Sequence, residues 1–565
     1  MILQQTILFF ISSYWAILVK FFSDYLLENA LENAKHHLLV KLNKKIDFSE
    51  LEKLSVEFHH QSGPGAPATY STNGLIRAML VKYLYDLSLR QTEERLGSDI
   101  IIRWFVGGNL FEPPPDHTTL ERFERWLKDH RRSAIFDEIL AQIRQDYPDE
   151  HQIQIGDSYA MHANAARENL VPMIRHLSEK LLRSAAETLP EPLANAVRGF
   201  DWLGLFGALP ESREYRLNAV QRAQRLQTVV LAALDLHKRI STLLKDRPAS
   251  EFPALRTLLG ALSKVIADEV SVQDGLVQRL QPKQQGSFRI GSATDTDASY
   301  RVHGPAPEDT SFGYNIQVTV SKSGFVCETR AYTGAVPDQA GVAALVADQK
   351  ERQGICPEKL IYDQAAGCGK TRAEVAKVSE GQTQLSAKLP PYESRTNLFA
   401  PYDFVLSENG KTLTCPNGKS TDVAYTAGGR GDGRTFRFFD VQCWQGILPK
   451  GKKSPDLTLA QRCPLWEKCR EAGQGPRTTR QVFISDYREH VLAAQAYNQT
   501  EDFTRDMQLR PAIERVIFEL THYNGARQAR RRGLENADWQ ARMNATAYNL
   551  KLWLRMSDRR TLTRA

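Results

Sequence analysis

Hydrophobic and polar positions alternate with period two in a few short stretches of this chain and with period three to four through most of the rest, which predicts an α/β protein. Ile153 and Ile155 alternate with polar neighbours, and Gly156 then permits a turn, predicting a half-buried strand that leaves Asp157 at an exposed strand end. Residues 312–333 predict an antiparallel hairpin. Tyr314 to Val320 alternates faces, Ser321-Lys-Ser-Gly324 turns, and Phe325 to Tyr332 returns. Residues 340–351 predict a helix, and Lys359-Leu-Ile-Tyr-Asp363 a further apolar strand ending in an acid. Elsewhere the helical period holds. Leu75, Ile76, Met79, Leu80, Tyr83 and Leu84 share a face, and capping boxes at Ser88-Leu-Arg-Gln91 and Thr118-Thr-Leu-Glu121 open two more helices. Between Arg167 and Gln285 strand signals vanish, and apolar sets such as Leu255, Leu259, Leu262 and Val265 predict about four helices broken by prolines. Residues 509–520 predict a helix with Pro511 in its first turn. Ile513, Val516, Ile517 and Leu520 form its apolar face, Glu514 stands at the margin, and Glu519 is a second acid there.

Charge changes this picture more than composition does. At 565 residues, 42% hydrophobic and 25% charged, the chain has room for several cores and the balance of an ordinary globular protein. The net charge is +7, and residues 505–565 alone carry 13 Lys or Arg against 6 Asp or Glu. The basic excess therefore sits at the end that bears Glu514, together with Arg510, Arg527, Arg530, Arg531 and Arg532, and favours a polyanionic partner. Read blandly, such an arginine cluster is solvated surface. Beside a carboxylate set it would hold phosphates that the acids repel.

Seven cysteines in a chain this long do not make a secreted disulfide scaffold; a reducing cytoplasm fits better. Four of them, Cys415, Cys443, Cys463 and Cys469, fall in the Gly-rich stretch 395–480, where they read either as a zinc site or as buried thiols. The Arg-Gly-Asp tripeptide in 427–433 reads as a hairpin turn. Gly369-Lys-Thr371 follows a strand, but Gln364 stands where a phosphate-binding loop needs Gly, so Lys370 reads as a surface or DNA-facing lysine. At the N-terminus, Met1 to Val19 lacks charge, and the 13 apolar residues from Ile7 fall short of the roughly 20 that span a bilayer. A buried or partner-facing helix, a translation start placed too far upstream and a membrane anchor are the three readings, and no membrane is expected as a partner.

Two strand-borne acids and a helix-borne one, Asp157, Asp363 and Glu514, in that order resemble the DDE transposases of bacterial insertion sequences. The likeness runs from about residue 50 to 555. Asp157-Ser-Tyr with Ala163-Asn-Ala looks like the family's first-Asp block, and Asp295-Thr-Asp297-Ala with Gly313-Tyr-Asn-Ile-Gln-Val like the strands that follow it. Asp338 looks like a recurrent acid before the next helix, and Arg510-x3-Glu514 like the middle of the Tyr-Arg-Glu-Lys signature. The resemblance implies an RNase H-like mixed sheet (150–166 and 286–394) whose first and fourth strands bring Asp157 and Asp363 side by side. Around it stand an apolar N-terminal segment (1–35), a helical DNA-end-binding domain (36–135), a helical insertion (167–285), a small cysteine-bearing β-rich insertion (395–480) and C-terminal helices (481–565).

In the end-binding domain Arg90, Arg95 and Arg103 are the candidates for phosphates. The resemblance also implies Mg²⁺ or Mn²⁺ held by Asp157, Asp363 and Glu514, structural Zn²⁺ on the cysteines, and DNA contacts from Arg510, the 527–532 arginines and Lys370. Its partners would be double-stranded DNA with terminal inverted repeats and target DNA, bound by a homodimer in the cytoplasm at the nucleoid. Met507 and Thr521 stand where the signature has Tyr and Lys, which keeps open a non-catalytic, zinc-stabilised DNA binder; a general nuclease is a third reading.

Overall fold

The computed structural model describes residues 25–60, 70–108, 112–198, 216–304, 306–389, 398–426, 432–439, 443, 463–471 and 479–564. The first 24 residues and the 427–431 turn, on which expectations were placed above, lie outside them.

One mixed sheet organises the chain. Strand β1 (Ile153–His162) pairs antiparallel with β5 (Thr310–Ser321) on one side and parallel with β7 (Lys359–Ile361) on the other. β8 (Gln384–Ser386) extends the sheet parallel to β7, while β4 (Ser299–Val302) and β6 (Val326–Thr333) both pair antiparallel with β5. The order is thus β4 or β6, then β5, β1, β7 and β8. Ile155, Tyr159 and Met161 of β1 and Tyr314, Ile316, Val318 and Val320 of β5 face a core completed by Ile513, Val516 and Leu520 of the Pro511–Tyr523 helix.

The C-terminal helix, Leu534–Arg564, covers the edge that β6 would otherwise expose. Asn549 bonds both the N–H and the carbonyl of Val326 at 2.8 Å, and Asp538 accepts the Ala331 N–H at 3.0 Å. Beneath these contacts Arg542 donates to buried Glu328 at 2.7 Å and to Asp538 at 3.1 Å. Arg352 closes the same network onto Glu328 and onto Asp137.

The described residues of 38–146 are mainly helical, as the period predicts, with helices that include Thr72–Leu84, Leu89–Ser98 and Ala134–Asp146. Their core is continuous with Trp539, Met543, Leu550 and Trp553 of the C-terminal helix, so the two ends of the chain are packed together. The Ser88–Gln91 capping box forms as expected. The second expected box does not: Asp116 caps His117–Arg131 by accepting the Thr119 N–H at 2.7 Å, placing the start upstream of Thr118.

The insertion after β1 is helical over Leu170–Thr188, Glu191–Arg198, Ala219–Leu243 and Pro253–Glu269. It also contains an unexpected hairpin, β2 (Val270–Gln273) and β3 (Leu276–Arg279). Asp274 and Gly275, at φ 49° and 76°, make its two-residue turn, and Asp-Gly is the sequence signal that marks it. Among the described residues, the cysteine-bearing lobe contains two small three-stranded sheets. It reaches beyond residue 480, because Arg480–Ser485 pairs along Gly433–Phe438.

Candidate active site

β1 runs unbroken through Gly156 and Asp157, and this corrects the expected turn. A Cβ at Gly156 would lie 1.8 Å from Cε2 of Tyr362, so glycine is needed there for the Tyr362 ring to cross the strand. Asp157 is consequently a half-buried residue within the strand and not an exposed strand end. Ile155 is aligned with Ile361 across the parallel β1–β7 pair, and two residues on in each chain direction stand Asp157 and Asp363. Asp363 caps the turn after β7 by accepting the Ala365 N–H at 3.1 Å.

Glu514 lies one turn into the Pro511–Tyr523 helix with its carboxylate toward solvent, and it reaches this pair only through Arg510. Arg510 Nη2 is 3.2 Å from Asp157 Oδ2 and Nη1 is 3.5 Å from Glu514 Oε1. Glu519 turns away to Arg555 at 3.0 Å. Lys359 Nζ meets Asp506 at 3.0 Å, and Tyr497 OH donates to the same acid at 2.6 Å, which ties the start of β7 to the helix leading into Arg510.

Burial raises the pKa of the Asp157 carboxyl above its ordinary value; the Ser158 N–H and Arg510 oppose this, and the charges of Asp363 and Asp338 add to it. Asp338 is thus a further acid at this site, whose nearness to Asp157 no sequence spacing reveals. It accepts from Asn315 at 2.7 Å, and Arg301 Nη2 lies 3.4 Å from each of its oxygens while donating to Ser158 Oγ at 2.7 Å. Burial would raise the Asp338 carboxyl, but Arg301, Ser158 and Asn315 outweigh it and hold it below the usual carboxylate range.

The candidate cations divide into two sets. Arg527, Arg532 and Lys370 are exposed; Arg532 also donates to the Asn164 carbonyl at 3.0 Å, at the end of β1. Arg530 is instead paired with Asp86 and bonded to the Leu87 carbonyl at 2.7 Å, and Arg531 lies 3.3 Å from Glu121 and 3.4 Å from Glu124. These two arginines join the C-terminal segment to the N-terminal bundle. Within that bundle Arg90 and Arg95 are exposed, whereas Arg103 is buried and donates to the Leu96 carbonyl, which removes it from the expected phosphate contacts. Its carbonyl partner explains the burial, since a guanidinium leaves water only when its donors are satisfied.

Cys415, Cys443, Cys463 and Cys469 line one pocket of the β-rich lobe around a cavity of about 20 Å³, with Phe399, Phe404 and Phe438 as its apolar wall. All seven cysteines are free thiols. Lys419 donates its N–H to Cys415 Sγ, Asn417 donates to Cys463 Sγ and Arg470 to Cys443 Sγ, each at 3.3 Å. Burial raises the Cys443 and Cys469 thiols, and neighbouring cysteines add to the rise. The donor chemistry at both places suits a cation, hard carboxylates on the sheet and soft thiols on the lobe. Among the described residues, however, no group of three or more His, Cys, Asp or Glu side chains is arranged to hold a metal ion as the chain stands. No helix of the described residues is long and apolar enough to cross a membrane.

Residues 27–126, the helical N-terminal part, match the family model described as Transposase domain (DUF772). Residues 452–554, which include Arg510, Glu514 and the 527–532 arginines, match the one described as Transposase DDE domain. No curated protein and no solved structure gives a significant match to the chain. One model on the N-terminal bundle and one reaching the C-terminal helix packed against it support a transposase function and, within it, a DDE-type transposase of an insertion sequence.

Proposed function

We propose that the chain hydrolyses phosphodiesters at transposon ends and joins the freed 3′-hydroxyls to target DNA, with Asp157, Asp363 and Glu514 as its carboxylate set. The observation that carries this reading is the position of Asp157 on β1 and of Asp363 just past the end of the adjacent parallel strand β7, with Glu514 linked to Asp157 through a single arginine. The strand order, with β5 antiparallel to both β1 and β6 and with β7 and β8 parallel to β1, supports an RNase H-like fold for the sheet.

A divalent ion such as Mg²⁺ or Mn²⁺, when bound by these carboxylates, supplies activation of a water or 3′-hydroxyl and stabilises the leaving oxygen. The protein residues do the rest. Asp157 is fixed at mid-strand by the Ser158 N–H and pressed by two neighbouring acids, so a carboxylate there gains more from a cation than one on open surface. Arg301 and Asp338 lock Ser158 and with it the strand that bears Asp157. Arg527 and Arg532, exposed beyond the end of β1, and Lys370 beyond β7 would hold DNA phosphates. Arg530 and Arg531 would act by fixing the N-terminal bundle to this surface, with Arg90 and Arg95 available for the transposon end. The four lobe cysteines would hold a structural Zn²⁺. Pairing of two ends would require a homodimer, working where the DNA is, at the nucleoid.

The test is cleavage of DNA carrying the inverted repeats that flank the gene, in Mn²⁺. Asp157→Ala should abolish cleavage and leave DNA binding intact; nicking at the wild-type rate would refute the assignment. The second reading, a non-catalytic DNA binder, is favoured by the absence of a closed three-carboxylate group among the described residues. It predicts DNA binding with no Mn²⁺-dependent nicking by the wild type.

A further inference from the structure

Arg510 stands where the acid-site reading needs a metal ion. It sits at the junction of the Glu501–Leu509 and Pro511–Tyr523 helices and spans from Asp157 to Glu514. Both contacts are long for a charge-assisted pair, 3.2 and 3.5 Å against roughly 2.8 Å in a tight one, and they come from different nitrogens to different carboxylates. Nε of the same guanidinium is buried with no hydrogen-bond partner. A latch selected for stability would satisfy that donor and approach more closely. Glu514 is exposed apart from this contact, and among the described residues Arg510 is what holds its carboxylate toward Asp157.

Resting on the acid-site reading above, we propose that Arg510 is a resident counter-cation that competes with the divalent ion for Asp157 and Glu514, and passes to a DNA phosphate when displaced. A divalent ion on Asp157 and the guanidinium resting on the same oxygen repel each other, so each weakens the other's hold on the carboxylate. A phosphate brought to the site draws the guanidinium off and so opens the carboxylates. Metal and DNA therefore favour each other's binding, and by linkage the factor is the same in both directions. The free chain is held in a weakly metal-binding state, which suits an enzyme that must not cut before its DNA is seated.

The test is Mn²⁺ binding by the full chain without DNA, read from the electron paramagnetic resonance of free Mn²⁺. Arg510→Met should bind the first ion about tenfold tighter than wild type, within the range of ordinary site-to-site coupling, and Arg510→Lys should change it less. A mixed-sequence DNA duplex should tighten Mn²⁺ binding to wild type and do so far less to Arg510→Met. Equal or weaker binding by Arg510→Met, with Asp157→Asn still abolishing the site, would overturn the competition and leave the acid site standing. Retention of Mn²⁺ by Asp157→Asn would instead remove the acid-site reading, and the competition with it. Should Arg510→Met fail to fold, phenylglyoxal modification of Arg510 in the wild type, located by peptide mass, gives the answer. Modification that rises with Mn²⁺ supports displacement, and modification unchanged while Mn²⁺ binds rejects it.

Discussion

The carboxylates on the sheet and the thiols on the β-rich lobe are held in place in opposite ways. Asp157 is set by backbone pairing within the sheet and Asp363 by the turn that follows its paired strand β7, on a sheet packed on both faces, and their surroundings are fixed by protein charges such as Arg301, Arg510 and Lys359. Among the described residues the lobe has a buried core of six, Phe404, Leu413, Phe436, Phe438, Val482 and Ile484, and most of its described strands are two residues long. Its cysteines face a cavity that admits about one ion-sized occupant. A sheet of this size orders a site before any ion arrives, whereas the proposed zinc, if held by the thiols, would supply much of the order of a lobe with so small a described core.

The largest effect that sharpens this contrast is therefore expected at the cysteines. A strong zinc chelator, or Cys443→Ser, should abolish protection of residues 398–485 in hydrogen exchange and open them to protease, because structural zinc accounts for about 10 kcal/mol of folding free energy in comparable small sites. The sheet should keep its own unfolding transition. Elemental analysis showing no zinc in the purified chain, with protection of the lobe unchanged by chelator, would end the contrast from this side.

Some of this was legible in the sequence, and the reasons differ by element. β1, the β5–β6 hairpin and the helix bearing Glu514 were readable because their apolar side chains keep to one face; the other face of β5 is also buried, but by the polar residues Asn315, Gln317 and Thr319, so the period survives. Gly156 was misread because a glycine after a strand-like run has two physical uses, a turn or a close approach. Only the position of Tyr362, supplied by a strand far along the chain, decides between them. Asp274-Gly275 announces the β2–β3 hairpin, yet its strands are only four residues long and follow directly on the Pro253–Glu269 helix, whose longer period overrides so short a signal. Arg103, Arg530 and Arg531 show a limit of another kind. Sequence reveals a positive charge but not whether its partner is a phosphate or a carboxylate and carbonyl of the same chain. Asp338 was noticed as an acid, yet its neighbour Asp157 is a purely tertiary matter.

The sheet side of the comparison can be broken through its charge network. Glu328 is fully buried between Arg542 and Arg352, both of which would lose a partner in Glu328→Ala. Leaving a buried guanidinium short of its acid costs about 3–5 kcal/mol, and urea denaturation should read a loss of that order in the main transition. Protection of the cysteine lobe should fall only in step with global unfolding. A loss under about 1 kcal/mol would mean that Asp538 and Asp137 suffice for the two arginines, and that fixed charges contribute less to the sheet than the contrast requires.

The smallest effect is also the most specific to the site. Because burial raises the Asp157 carboxyl, the folded chain binds that proton more readily than the unfolded chain does. The charge is therefore a net burden at neutral pH, relieved as pH falls through the raised folded value and absent below the unfolded value of about 3.9. Asp157→Asn removes the charge while keeping an acceptor for the Ser158 N–H, so it should raise Tm at pH 7 by about 2 °C. The gain should shrink steadily into the acid range and vanish below the unfolded value. A gain that persists at low pH would trace to packing and not to charge. A loss at pH 7 would mean that Arg510 more than compensates the carboxylate, so that the acids are at rest with their arginine and have no unmet demand for a metal ion.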